Sequence, residues 1–427
     1  MSLPTAPDLP GRHAARRAGR ARGLPVWRLA WRNLWRNRRR SWLTAGGIGF
    51  AVWMLVFAMS MQQGTFAIMV DNGARLLTGH MQVQHPGFAD DPRLENTLGG
   101  VPALMELAAR QPAITALLPR AEAFALASVG ERSYGARIVG VEADRERVAS
   151  SLPALVTQGR YLQGPGDAFV GEGLARNLGL SVGDDIVLLG TALEGGVAAH
   201  VARVAGLFAT GQSAVDRALV HIPLQDFRAA WNLPQDQVHV LALMLRRLDD
   251  TAAMAKALAG PGRAILDWTD LMPEAEQSIE LKRLGAQLFF ALIAVVVTFS
   301  VVNTFMMTVF ERTPEFGMLM ALGMRPGAIM RQLSVEALWM CLLGVLLGLG
   351  VSGLLLGWLG VTGMPLPLDA GEVLARYNLP DRMYPAFSAA AAMVSVGVMF
   401  IGTQLAVLVC ARRIRRLRPV DALRALE

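Results

Sequence analysis

The stretch PEAEQSIELKRLGAQLFFALIAVVVTFSVVNTF, Pro273 to Phe305, decides what kind of chain this is. It keeps helical spacing, has no proline after its first residue, and carries no charge from Leu284 through Phe310. That uncharged part exceeds the about 20 apolar residues a helix needs to cross a bilayer. Read as one helix, Pro273 to Phe310 reaches about 57 Å, against about 30 Å of hydrocarbon. The helix is therefore expected to leave the membrane as a stalk, with Gly285 a place to bend. The other reading is two helices broken at the membrane surface.

Three further stretches are long and uncharged: Trp42 to Val70, Ala337 to Gly360, and Met383 to Ala411. The chain is 53% hydrophobic and 18% charged over 427 residues, which excludes an ordinary soluble protein of this size. The formal charge of +7 comes almost wholly from arginine, since Lys256 and Lys282 are the only lysines. The basic residues cluster beside apolar runs, so membrane topology accounts for them and no nucleic acid is expected as a partner. Cys341 and Cys410 lie within apolar runs and read as small buried hydrophobes. A cleaved signal is the rival reading of the first span, but its apolar run is too long and lacks a small-residue cleavage site.

Arginine also sets the expected orientation. The first forty residues hold eleven arginines and one acid, Asp8, and ARRIRRLRP (411–419) repeats the pattern after the fourth span. Both ends are expected in the cytoplasm of a bacterial inner membrane, with 71–272 outside, 311–332 inside and 361–382 outside. Residues 1–23 lack periodicity and read as disordered. In 24–41, Trp27, Trp31 and Trp35 recur every fourth residue with arginines between them. That pattern predicts an interfacial helix on the inner leaflet, the alternative being a plain continuation of the first span. The organisation expected is thus span 1 with stalk (42–70), an inserted domain (71–272), stalk with span 2 (273–310), an inner loop (311–332), span 3 (333–360), an outer loop (361–382), span 4 (383–411) and a tail (412–427). Glu336 sits near the start of span 3, at the interface or facing a partner.

The insertion reads as mixed α/β. HMQVQ (80–84), YGARIVGV (134–141), HVARVAGLF (200–208), ALVHI (218–222) and VHVLALML (238–245) look like strands. VPALMELAAR, EGLARNLGL, LQDFRAAW and DTAAMAKALA look like helices. No phosphate-binding glycine loop precedes either lysine, and no G-x-S-x-G or His-Glu-x-x-His occurs. His80 and His85 lie in a strand and loop rather than at ligand spacing, so neither catalysis nor a metal is expected of this domain.

The inner loop, ERTPEFGMLMALGMRPGAIMRQL, predicts a short amphipathic helix in which Phe316, Leu319, Met320 and Gly323 share one face. Gly323 closes it, and Arg325–Pro326 opens the next helix. Such a helix between two spans either fits a cleft on another protein or rests on the lipid surface. In span 3, Gly344, Gly348, Gly353 and Gly357 give small-xxx-small spacing, expected to let helices pack closely.

FERTPEFGMLMALGM (310–324) resembles the E-R-T-x-E-I-G-x-L-x-A-L-G segment of FtsX/MacB-type ABC transporter permeases, and RRLRPVDALR (415–424) resembles their closing P-x-x-A-L-R. AWRNLWRNRRRSWLTAGGI resembles their leading helix and first span. GHMQVQHPGF, IVGVEAD, GEGLARNLGLSVGDDIVLL and VAGLFATGQSAVDRALVHIPL look most like the lipoprotein-releasing LolC/LolE branch. The resemblance spans Val26 to Glu427. It implies four transmembrane helices with a large α/β extracytoplasmic domain between the first two. It also implies a coupling helix in which Glu311, Arg312, Thr313, Glu315, Phe316, Gly317, Leu319, Met320, Ala321, Leu322 and Gly323 dock on a separate cytoplasmic ATPase dimer.

The ATP and magnesium would belong to that ATPase, the chain itself holding no cofactor and doing no catalysis alone. A second permease subunit, identical or paired, and a periplasmic carrier, adaptor or hydrolase complete the implied partners, with membrane lipid. The implied work is mechanotransmission that releases or exports a lipoprotein or other amphipathic cargo. Drug, peptide or siderophore efflux of the MacB kind and non-transporting control of a cell-wall hydrolase of the FtsX kind are the alternatives. Pro314 and Met320 stand where the family usually has basic residues, which bears on the choice of ATPase.

Overall fold

The computed structural model describes residues 26–365 and 382–416, so the leading segment 1–23, most of the expected outer loop and the closing tail lie largely outside the described residues. The chain divides into two units, a helical one (1–61, 285–361 and 386–427) and an α/β one (62–284 and 362–385).

In the helical unit, α1 (Val26–Arg36) stops at a turn on Asn37, and α2 (Arg38–Gly73) begins at once. The expected interfacial helix therefore ends short of residue 41, and Arg38, Arg39 and Arg40 open the first span instead. The break is held by the Ser41 hydroxyl, which donates to the Leu34 carbonyl at 2.6 Å. α10 (Pro273–Glu311) is one unbroken helix of 39 residues. α11 (Thr313–Ala321) is short, and α12 (Pro326–Thr362) starts eleven residues before the uncharged run Ala337 to Gly360. The last helix, α13 (Ala389–Arg416), starts later than Met383, because Pro385 interrupts the run and the Ser388 hydroxyl caps the amide of Ala391 at 3.2 Å. Among the described residues four helices are long and apolar enough to cross a membrane: α2 with the π turn that follows it, α10, α12 and α13.

Their shared core runs through Ile48, Val52, Val56, Phe305, Ala337, Cys341 and Val407. The tightest approach is between α2 and α12. A methyl group at Gly344 would lie 2.8 Å from the Ala45 carbonyl, and one at Gly348 2.5 Å from that of Gly49. Gly353 and Gly357 are different: among the described residues a methyl group there meets nothing within 4 Å. Gly348→Val should therefore cost about 1–3 kcal/mol by forcing α2 and α12 apart, whereas Gly353→Val should be near neutral. Unfolding of the full chain in a graded detergent series separates the two; equal effects would refute the assignment.

In the α/β unit, the 16-residue strand β2 (Ile114–Val129) organises everything. Its first half pairs antiparallel with β9 (Val240–Leu245), and β9 continues through β1 (Met81–Gln84) to β10 (Ala264–Asp267). This open sheet packs Met81, Val83, Leu117, Leu241 and Leu243 against α3 (Val101–Ala109) and α8 (Thr251–Leu258).

The second half of β2 pairs with β3 (Arg132–Val141), which continues through β8 (Leu219–Pro223), β5 (Asp167–Gly171), β7 (Val197–Phe208) and β6 (Asp185–Thr191). β6 then pairs back onto β2 at Leu126 to Ser128, closing a six-stranded ring. β4 (Val156–Gly159) edges β7. Ala121, Ala123, Ala125 and Ala127 alternate along β2 on the buried side. Their small side chains leave room for α7 (Leu224–Trp231), whose stacked Phe227 and Trp231 rings, 4.5 Å apart, pack there. Gly140 is needed for that approach, since a methyl group on it would fall 2.5 Å from the Phe227 Cβ.

His80 is not poised for a metal. Its Nδ1 accepts the Leu245 amide at 2.9 Å, so Nε2 carries the proton it gives to Asp71 at 3.0 Å. Among the described residues no group of three or more His, Cys, Asp or Glu is placed to hold a metal ion.

Candidate functional site

The short loop helix between the second and third spans is built by its flanks. Pro314 sits in its first turn, where the missing amide has no helical partner to lose. The Thr313 hydroxyl donates back to the Val309 carbonyl at 2.7 Å. At the other end Gly323 takes φ +92°, a conformation that strains any other residue, and the Met324 amide closes on the Leu319 carbonyl at 3.0 Å.

The structure turns this helix the opposite way from the sequence expectation. Phe316 is 2% exposed, packed in the bundle core with Gly317 buried beside it, and Leu319 and Met320 pack half-buried against the same core. The face grouping of Phe316, Leu319 and Met320 is correct, but it is the inward face. The outward surface is Met318, Ala321, Leu322, Gly323 and Met324, with Leu322 80% exposed. Both faces of the helix are apolar, so the sequence pattern alone could not say which one the bundle would bury.

The charged residues of the motif form a clasp. Glu336 of α12 is 4% exposed and accepts from Arg312 at 3.0 Å, Asn33 of α1 at 2.7 Å and Gln332 at 3.4 Å. Arg312 also donates to Glu315 at 3.1 Å, and its guanidinium lies 5.3 Å from the centre of the Phe316 ring. Arg36 reaches Glu315 at 2.7 Å, and Arg40 reaches Glu311 at 2.7 Å while also donating to the Thr304 carbonyl. Burial by itself would push the Glu315 carboxyl up, but the hydrogen bonds from Arg36 and Arg312 outweigh it and hold Glu315 below the usual carboxylate range. Three arginines thus meet three carboxylates and tie five helices, α1, α2, α10, α11 and α12, at one end of the bundle. Asn33, Arg36, Arg40 and Glu336 were absent from the sequence-based site. Only the isolated Glu336 in an apolar run gave a signal.

A family model for the MacB-like periplasmic core domain matches residues 41–260, more than half the chain, and one for the FtsX-like permease C-terminal region matches residues 288–419. The chain belongs to the FtsX/MacB-type family of ABC transporter permeases. Among similar proteins, the lipoprotein-releasing system transmembrane protein LolC of Neisseria meningitidis is 24% identical over 90% of this permease and 93% of its own length. LolC of Xylella fastidiosa is 26% identical over 74% of this permease and 79% of its own. The macrolide export ATP-binding/permease protein MacB of Bordetella avium is 26% identical, over 79% of this permease and 52% of its own length. This permease therefore has the family's fold: four membrane helices and a large α/β domain between the first two. Permease subunits of this kind are not catalysts by themselves.

Proposed function

We propose that this permease passes the work of a separate cytoplasmic ATPase to its inserted domain, and that the transmitted movement releases a lipoprotein or similar amphipathic cargo from the membrane. In this reading the arginine-rich end of the bundle faces the cytoplasm of a bacterial inner membrane, and the α/β domain stands outside. The observation that carries it is α11, which presents Met318, Leu322 and Met324 outward while the clasp fixes its base. A short apolar surface on a rigid support suits a cleft in a partner, and rigidity lowers the ordering cost of docking. Two such permeases, identical or paired, would meet two ATPase chains, which supply the ATP and magnesium sites.

Lipoprotein release is favoured over macrolide export because the LolC relative aligns over nearly its whole length, whereas the Bordetella MacB aligns over about half. Export of a drug, peptide or siderophore remains the second reading. Cross-linking the α/β domain in the envelope separates the two: a soluble lipoprotein carrier supports release, and an adaptor protein supports export.

The docking surface has its own test. The paired substitutions Met318→Glu and Leu322→Glu should weaken ATPase co-purification by about 2 kcal/mol, roughly 30-fold, without loosening the bundle. Phe316→Glu should instead unfold α11 and its neighbours, because it buries a charge in the core. Undiminished ATPase binding by the Met318/Leu322 variant would refute this surface.

A further inference from the structure

The arginine-rich end of the helical unit carries two kinds of arginine. Arg36, Arg40 and Arg312 are used up in the clasp. Arg28, Arg32, Arg38 and Arg39 are exposed, and the described residues give them no acidic partner. These four lie next to an array of tryptophans. Trp27 and Trp31 of α1 pack edge-on against Trp339 of α12, with ring centres 5.8 and 5.0 Å apart, and Trp31, Trp35 and Trp42 continue the line at 5.7 and 6.2 Å.

The helical period explains the arrangement. On α1 the residues 27, 31 and 35 form one stripe and 28, 32 and 36 the stripe beside it, while Ala30 and Leu34 are buried on the other flank. On α2, Arg38 stands one turn before Trp42. Trp27 and Trp42 each remain 52% exposed, although they belong to the array.

We infer that this surface binds the headgroups of anionic phospholipid. Tryptophan prefers the depth where the hydrocarbon ends, and an arginine one position along the helix reaches the phosphates just above it. Four guanidiniums on one short stretch, without an acidic partner among the described residues, attract negative charge, and each is worth about fivefold at an anionic leaflet. Because the same two helices carry the clasp through Asn33, Arg36 and Arg40, bound headgroups would steady the support of α11. The inference rests on the proposed reading that α1 lies at the membrane surface.

The test uses the full chain in phosphatidylcholine vesicles with a minor fraction of brominated phosphatidylglycerol or, in parallel, brominated phosphatidylcholine. Tryptophan quenching is read, with a Trp27→Phe/Trp31→Phe/Trp42→Phe chain to assign the signal. Brominated phosphatidylglycerol should be enriched about fivefold or more at these tryptophans. In the chain with Arg28→Gln, Arg32→Gln, Arg38→Gln and Arg39→Gln, that excess should vanish while quenching by brominated phosphatidylcholine persists. Equal quenching by both lipids, or an excess that survives the glutamine substitutions, overturns the lipid site. Absence of quenching by either lipid overturns the membrane-surface reading itself. Loss of ATPase co-purification in the glutamine chain, with no lipid preference in the parent, would assign the arginines to a protein partner and also overturn the proposal.

Discussion

Replacing Glu146 with alanine should lower the stability of the α/β domain by about 3–5 kcal/mol, the cost of leaving a buried arginine without its counter-charge. Arg120 on β2 is 4% exposed and Glu146 on α4 (Ala143–Ala149) is 1% exposed, and they meet in a two-pronged bond at 2.7 and 2.9 Å. Burial pushes the Glu146 carboxyl up, but Arg120 more than offsets it, so the carboxyl sits below its usual range. The same partner holds the Arg120 guanidinium in its charged form.

The pair also has a mechanical position. Arg120 donates to the carbonyl of Leu77, in the π turn Ala74–Thr78 that ends α2. The hydroxyl of Ser150 and the amide of Ser151, just after α4, both donate to the Arg75 carbonyl at 3.0 Å. The pair thus fastens the end of α2 to the sheet. Hydrogen exchange of the full chain should show β2, α4 and the π turn losing protection together in Glu146→Ala. The double change Arg120→Met with Glu146→Leu should restore most of it, because no unpaired charge remains. Independent exchange of the three segments would show that they are not one unit.

The second large effect is acid sensitivity at His221. This histidine is 4% exposed on β8, and its Nδ1 lies 3.4 Å from the Tyr161 hydroxyl. Burial pushes its pKa from 6.5 down to about 4, with the charges of Arg120 and Arg137 adding to the shift and Glu146 opposing it. The folded domain therefore keeps His221 neutral where an unfolded chain would already protonate it. Stability contributed by the neutral ring is complete above the unfolded value of 6.5 and falls as the pH drops towards about 4. The total is about 3 kcal/mol, of which about 2 kcal/mol is gone near pH 5. Exchange of β8 in the full chain, compared near pH 7 and pH 5 after correction for intrinsic rates, should show this slope, and His221→Gln should flatten it. An unaltered slope in the glutamine chain would assign the acid sensitivity elsewhere.

The parts of this molecule that the sequence made legible are those where one physical signal dominates. The uncharged runs gave four spans because nothing but hydrocarbon tolerates such length, and alternation gave β3, β7, β8 and β9. β2 escaped notice because Pro119 interrupts it and four alanines carry little strand preference, although its pairing with both lobes overrides that weakness. At the candidate site, the sequence placed the helix and its charged motif but not their use. A helix with apolar residues all round does not say which side the bundle takes, and Glu336 lies too far along the chain from Arg312 for any local pattern to join them.

One consequence of β2 concerns which lengths this domain can change. The strand is a wall of the open sheet in its first half and of the closed ring in its second. Inserting or deleting a single residue near Arg120 would swap inward for outward side chains in one lobe relative to the other. Only a further β-bulge could absorb that, and near Arg120 both edges of the strand are hydrogen-bonded. The β6–β7 connection, by contrast, turns through Gly195 and Gly196 in open space. Relatives should therefore differ freely in the length of that hairpin tip while keeping the count of residues in β2 fixed.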